Sequence, residues 1–193
     1  DGAVTLAGSE CLDGTFYEDG EGQRWIVFCH EWTELYEGKI KALRLTRDLK
    51  SSYGEPVTLL NAADMKWIRL FGDPRIEKTG YLTDAPFLYK ARNGELLLLW
   101  SSYSVPGYSE TGLGGYTVAI ARSATGRIEG PWTHDDRLFM DRNAGHSSLF
   151  RDFEGRLWIS THYPDTPHGH ERPLFLQVEE LDNGLALKNG EER

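Results

Sequence analysis

The sequence is short of everything that would make a helical, disulfide-built or nucleic-acid-binding protein. No window carries an apolar period of 3.6 residues over three turns, so helix signal is nearly absent. There are only two cysteines, Cys11 and Cys29, in 193 residues. They flank one hairpin, where a cross-strand bridge would be strained, so two free thiols are expected. Basic residues are outnumbered, 21 Lys and Arg against 30 Asp and Glu, for a net charge of −9. That balance argues against nucleic acid or an anionic membrane surface as partner. No apolar run approaches the roughly 18 residues of a membrane-spanning helix, so no membrane partner is expected. Low-complexity segments are missing too. Hydrophobic residues still make up 39% of the chain, enough for a packed core.

What is present is a hairpin written three times. Asp13-Gly-Thr-Phe-Tyr runs through a turn at Gly22 into Trp25-Ile-Val-Phe. Asp84-Ala-Pro-Phe-Leu-Tyr runs through Gly94 into Leu96-Leu-Leu-Leu. His146-Ser-Ser-Leu-Phe runs through Gly155 into Leu157-Trp-Ile-Ser. The turn glycines are 72 and then 61 residues apart, a period of stacked or radially arranged units. The repeat aligns Asp13, Asp84 and His146 as equivalents.

Each unit continues. Ile40–Leu45, Tyr116–Ala121 and Pro173–Val178 read as third strands, with fourth strands at Pro56–Leu60 and Gly130–Thr133. Repeated four-stranded antiparallel units make β-propeller blades, here over about 11–62, 82–140 and 144–182 in a single domain covering 1–193. A two-sheet sandwich also yields many short strands, but it does not require one hairpin three times. Three blades do not close a ring, since propellers have about four to eight. The opening residues, Asp1 to Glu10, read as the tail of an earlier unit, so a C-terminal portion of a larger propeller is expected.

If each first strand starts at the top, the strand mouths and the links to third strands share that face. Asp13, Asp84 and His146 gather there with His30-Glu31-Trp32, Ser101-Ser102-Tyr103 and the loops holding Trp67 and Arg172. Carboxylates, histidines and aromatics around an axis have the composition of an active site. Plainer readings stand beside this one. Asp13 or Asp84 could cap a strand, His146 could be a bonded core histidine, and Trp32, Trp67 and Tyr103 could pack between blades instead of stacking on sugar rings. Trp25 and Trp158 fall in equivalent second-strand core positions.

The motifs Cys11-Leu-Asp13-Gly-Thr-Phe, Leu82-Thr-Asp84-Ala-Pro-Phe, Gly145-His146-Ser-Ser-Leu-Phe and Glu171-Arg172-Pro resemble those of glycoside hydrolase family 43. The resemblance implies a five-bladed propeller hydrolysing arabinose- or xylose-containing plant polysaccharide by an inverting acid/base mechanism. It makes Asp13 the carboxylate that tunes the acid and puts Asp84 in the acid's place, where the family has Glu. It sets the general base in a blade before Asp1, so that the 193 residues alone would be inactive. Trp32, Trp67, Tyr103, His146 and Arg172 become substrate contacts. His146 matches a histidine near a bound ion or water, hence a possible structural Ca²⁺ on the axis and no required cofactor. A secreted or periplasmic location is implied as well. Because Asp is shorter and more acidic than Glu, Glu31 and Glu34 stand as alternative acids, and a non-hydrolytic carbohydrate-binding propeller or an interaction scaffold with no sugar site stands as an alternative function.

Overall fold

The computed structural model describes residues 4–192 apart from 109–111, 113 and 136, with side chains as far as residue 188. The first sheet orders β1 (Cys11–Glu18), β2 (Arg24–His30), β3 (Lys39–Leu45) and β4 (Ser52–Asn61) side by side, all antiparallel. A small hairpin follows, β5 (Phe71–Asp73) with β6 (Lys78–Gly80). The second sheet holds β7 (Asp84–Lys90), β8 (Leu96–Ser104), β9 (Gly115–Ser123) and β10 (Trp132–His134). The third holds β11 (Gly145–Arg151), β12 (Leu157–Tyr163), β13 (Arg172–Leu181) and β14 (Gly184–Glu192). The molecule is a β-propeller fold of three four-stranded blades, as the repeat implies. The hairpin β5–β6 and strand β14 are additions that the repeat did not announce.

The blades stack through their faces. Strand β8 explains how. Its Leu96, Leu98 and Trp100 join Trp25, Val27 and Ile40 in one core, and its Leu97 and Leu99 join Ile120, Leu149 and Ile159 in another. A strand buried on both faces needs an unbroken apolar run instead of an alternating one, which is why Leu96-Leu-Leu-Leu-Trp100 carries no polar residue. Strand β1 has one face in the open and alternates, exposing Leu12, Phe16 and Glu18. Burying each such Leu stabilises by roughly 1.5–3 kcal/mol, so the two inter-blade cores hold the stack together. A polar clamp joins the second and third blades: the Glu180 carboxylate accepts from Tyr89, Arg92 and Arg151.

The first and third blade hairpins share one turn device, and the middle turn has Asn93 bonded to the Glu95 amide in its place. Asp19 accepts from the amides of Glu21 and Gln23 and from the Trp25 indole, and Asp152 accepts from the amides of Glu154 and Arg156 and from the Trp158 indole. The carboxylate therefore fastens the turn to the second-strand core. Both cysteines are free thiols, as expected.

Candidate active site

The first strand of each blade is an edge strand, and β7 lies against both β1 and β11. Their mouths build the site. Each carries a β-bulge: two residues stand against one partner at Asp13-Gly14, Ala85-Pro86 and His146-Ser147. At each bulge the first residue takes a left-handed backbone, φ 54° at Asp13, 47° at Ala85 and 57° at His146. Non-glycine residues adopt that conformation at a cost of about 1–3 kcal/mol, and such positions cluster at functional sites. The bulge turns amides sideways, across the blade boundary. Ala85 N–H donates to Asp13 Oδ2 at 3.1 Å, and His146 N–H donates to Ser101 Oγ at 3.0 Å.

This register corrects one expectation. Asp13 and His146 are equivalent, but their counterpart in the middle blade is Ala85, not Asp84. Asp84 occupies the position of Leu12 and Gly145, one residue earlier. The offset redirects its side chain: Asp84 Oδ2 accepts from the Tyr116 hydroxyl at 2.7 Å. Gly145 at the matching place lets the third blade approach, since a Cβ there would lie 2.4 Å from the Tyr116 ring.

The side chains nevertheless converge. His146 Nε2 lies 3.8 Å from Asp13 Oδ1. Asp84 is pushed up to about 6, by burial above all, with the Asp13 and Asp165 charges adding to it against the Tyr116 hydrogen bond and His146. Glu31, the residue just after β2, is the one that the repeat did not rank. It is buried, 9% exposed, and its Oε1 has no hydrogen-bond partner. Burial, then the charges of Asp84, Asp13 and Glu10, push it up to about 7. Its neighbour Glu34 is partly exposed and spends its carboxylate on His30 and the Glu10 amide, which removes it from the site.

An arc of rings backs the carboxyls. Trp32 meets Phe71 edge-on at 5.3 Å, Phe71 stacks on Tyr103 at 5.4 Å, Tyr103 meets Tyr116 at 5.0 Å, and Tyr116 stacks on His162 at 5.5 Å. Asp165, buried, anchors the arc by accepting from Tyr103 and pairing with His162. Two of the expected sugar platforms are corrected here. Trp32 is 6% and Trp67 5% exposed, so neither offers a free face. Trp67 packs against Trp100 because its segment runs beside β8, with Ile68 bridged to Ser104 and the Arg69 amide bonded to Tyr103. Tyr103 is part of the wall, half-buried with its hydroxyl committed. Arg172 is exposed at the start of β13, its guanidinium on the Glu171 carbonyl. Among the described residues no three His, Cys, Asp or Glu side chains are grouped to hold a metal ion. His146 meets the single carboxylate Asp13 and not a cage of ligands.

A depression of about 240 Å³ lies where the three strands meet, lined by Asp13, Thr15, Pro86, Phe87, His146 and Ser148. Fold and site thus define a class: a propeller with a cluster of carboxyls, two of them pushed up to about 6 and about 7, at the mouths of its inner strands. The chain belongs to family 43 of the glycosyl hydrolases, whose model matches residues 2–184. It is similar to an endo-arabinase from Bacteroides thetaiotaomicron VPI-5482, with 37% identity over 94% of this chain and 60% of that one and a TM-score of 0.84. An endo-1,4-beta-xylanase from the same organism shares the fold at 19% identity over 96% of this chain and 60% of that one, with a TM-score of 0.74. So does an alpha-L-arabinofuranosidase from Lactobacillus brevis at 15% identity, covering 98% and 58%, with a TM-score of 0.71. The chain therefore spans about 60% of the length of the structures it matches. No curated protein sequence matches it.

Proposed function

We propose that the protein carrying these residues hydrolyses glycosidic bonds in arabinose- or xylose-containing polysaccharide, inverting the anomeric carbon. The observation that carries the reading is Asp84, a half-buried carboxyl held up to about 6 beside Asp13 at the mouth of an inner strand. A leaving sugar departs as an alcohol only if its oxygen gains a proton while the C–O bond breaks. A carboxyl whose proton is retained near neutral pH can give it. Asp84 is the donor in this reading. Asp13 is the fixed charge that keeps the proton there, itself oriented by the Ala85 amide and faced by His146. Inversion needs a second carboxylate about 6.5–9.5 Å from the acid, with a water between. We place that base outside these 193 residues, consistent with their coverage of about 60% of the matched chains. Arg172 and Tyr103 stand on the same face as candidate sugar contacts.

The test is Asp84→Asn in the intact protein, assayed on aryl arabinosides and xylosides with good and poor leaving groups. Cleavage of the poor leaving groups should fall by about 10²–10⁴-fold, the range of general-acid assistance, while good ones are largely spared. Equal rates of parent and variant on both would overturn the assignment. It would pass the acid role to another carboxyl of the same face; absence of turnover by the parent on both classes would instead favour the second reading, carbohydrate binding without cleavage, which has one observation behind it: an Asp, a methylene shorter, stands where the family has its Glu.

A further inference from the structure

Three carboxyls, Asp13, Glu31 and Asp84, share one corner, and they differ in what their oxygens receive. Asp13 accepts the Ala85 amide and faces His146. Asp84 accepts the Tyr116 hydroxyl. Glu31 is nine-tenths buried, and its Oε1 receives nothing. Its backbone is fixed on both sides, the amide donating to Glu10 and the carbonyl accepting from Glu34 and Leu35, so the side chain cannot leave by a simple swing of the turn. Carboxylates crowded in a water-poor corner cannot all ionise, and the one with the fewest donors keeps its proton.

We propose that Glu31 is the proton store of this site, a positioning residue that acts through Asp84. This rests on the glycosidase reading above. When Asp84 loses its proton, Glu31 remains neutral, so the pair still holds one proton between them. Glu31 Oε1 has no hydrogen-bond partner, so the proton passes through an intervening water; its transfer returns Asp84 to its acid form and leaves Glu31 as the carboxylate. Asp84 then gives the proton to the leaving-group oxygen as the C–O bond breaks, and the proton that the attacking water releases to the base returns through solvent to Glu31. The groups facing Glu31 are Asp84 from β7, Asp13 from β1, Glu10 from the segment before β1 and the buried Cys29 thiol of β2, none of them a cation. Its direction, up to about 7, agrees with the geometry. The pair titrates as a unit, so loss of activity with rising pH should be spread over two steps instead of one.

Two measurements test this. In the chain labelled at the glutamate side-chain carbonyl carbons, with backbone assignment, the Glu31 carbon-13 signal should titrate near pH 7. In Asp84→Asn its midpoint should move down, because a neighbouring charge is gone. A Glu31 midpoint between pH 4 and 5 would overturn the proposal. This readout needs no substrate, so it succeeds or fails separately from the glycosidase reading. In the intact enzyme, the rate of Glu31→Gln relative to the parent should decline several-fold between pH 5 and 7.5. A ratio constant across that range would mark Glu31 as a packing residue and contradict the store. If Glu31→Gln fails to fold, the titration of the parent and of Asp84→Asn still decides.

Discussion

Carboxyl groups sit at both ends of the blades, and the two ends treat them in opposite ways. At the bottom, Asp19 and Asp152 each collect two amides and an indole N–H. Burial alone would raise them, but these donors, with the Arg156 guanidinium on Asp152 and the Arg127 charge near Asp19, outweigh it, and both are held below the usual carboxylate range, Asp152 at about 2. At the top, Asp84 has one hydroxyl, and Glu31 has an oxygen with no partner. Burial and like charge then win, and they rise to about 6 and 7. Count of donors, not residue type or place in the repeat, separates a staple from a group that can trade protons.

The largest expected break in this comparison is in rate. Asp84→Asn should cost about 10²–10⁴-fold on poor leaving groups, whereas Asp19→Asn should leave turnover per folded molecule unchanged. Next comes stability at the top. Glu31 is raised in the fold from 4.5 to about 7, so its contribution is fully present below pH 4.5 and is lost as pH rises through 7. Glu31→Gln, which has no proton to lose, should match the parent at pH 4. At pH 8 it should be more stable by roughly 3–3.5 kcal/mol, because each pH unit between the unfolded and folded midpoints is worth about 1.4 kcal/mol. Urea denaturation at the two pH values measures it. At the bottom the sign reverses. Asp19→Ala strips the acceptor from the Trp25 indole and should destabilise by roughly 1–3 kcal/mol. That loss should be visible at pH 7 and shrink in acid, because a carboxylate held low contributes only above its folded titration. The smallest effect is at Asp13. Asp13→Asn removes a charge that favours the proton on Asp84, so the alkaline limb of the pH–rate profile should move to lower pH by roughly half a unit to one unit.

Much of this was legible in the residues. Three hairpins with alternating or continuous apolar strands imply blades, and β8 announces burial on both faces through Leu96 to Trp100. The mouth residues Asp13, Asp84 and His146 could be named because strand direction sends them to one face. The one-residue offset of Asp84 was also written there: it stands ten residues before Gly94, whereas Asp13 and His146 stand nine before Gly22 and Gly155. Strand β14 was not legible, since Gly184 to Glu192 has little β-branched or aromatic content and is paired by its neighbour β13 instead of by propensity. The burial of Trp32 and Trp67 depends on a hairpin and a bridge between distant segments, contacts that no local pattern encodes. Glu31 follows His30 in a plain run. Its standing comes from missing donors, which only the packed structure reveals.

The most direct test counts protons. Potentiometric titration of folded against urea-unfolded chain should be made on the parent and on the Glu31→Gln, Asp84→Asn double variant. The difference between them isolates the top-face carboxyls from the histidines. The account expects the folded parent to hold between one and two more protons than the double variant near pH 5.5, declining to none by about pH 8, with no such difference in the unfolded chains above about pH 5. Folded curves that superpose from pH 5 to 8 would mean that both carboxyls are ionised like those of the turns, and would contradict it.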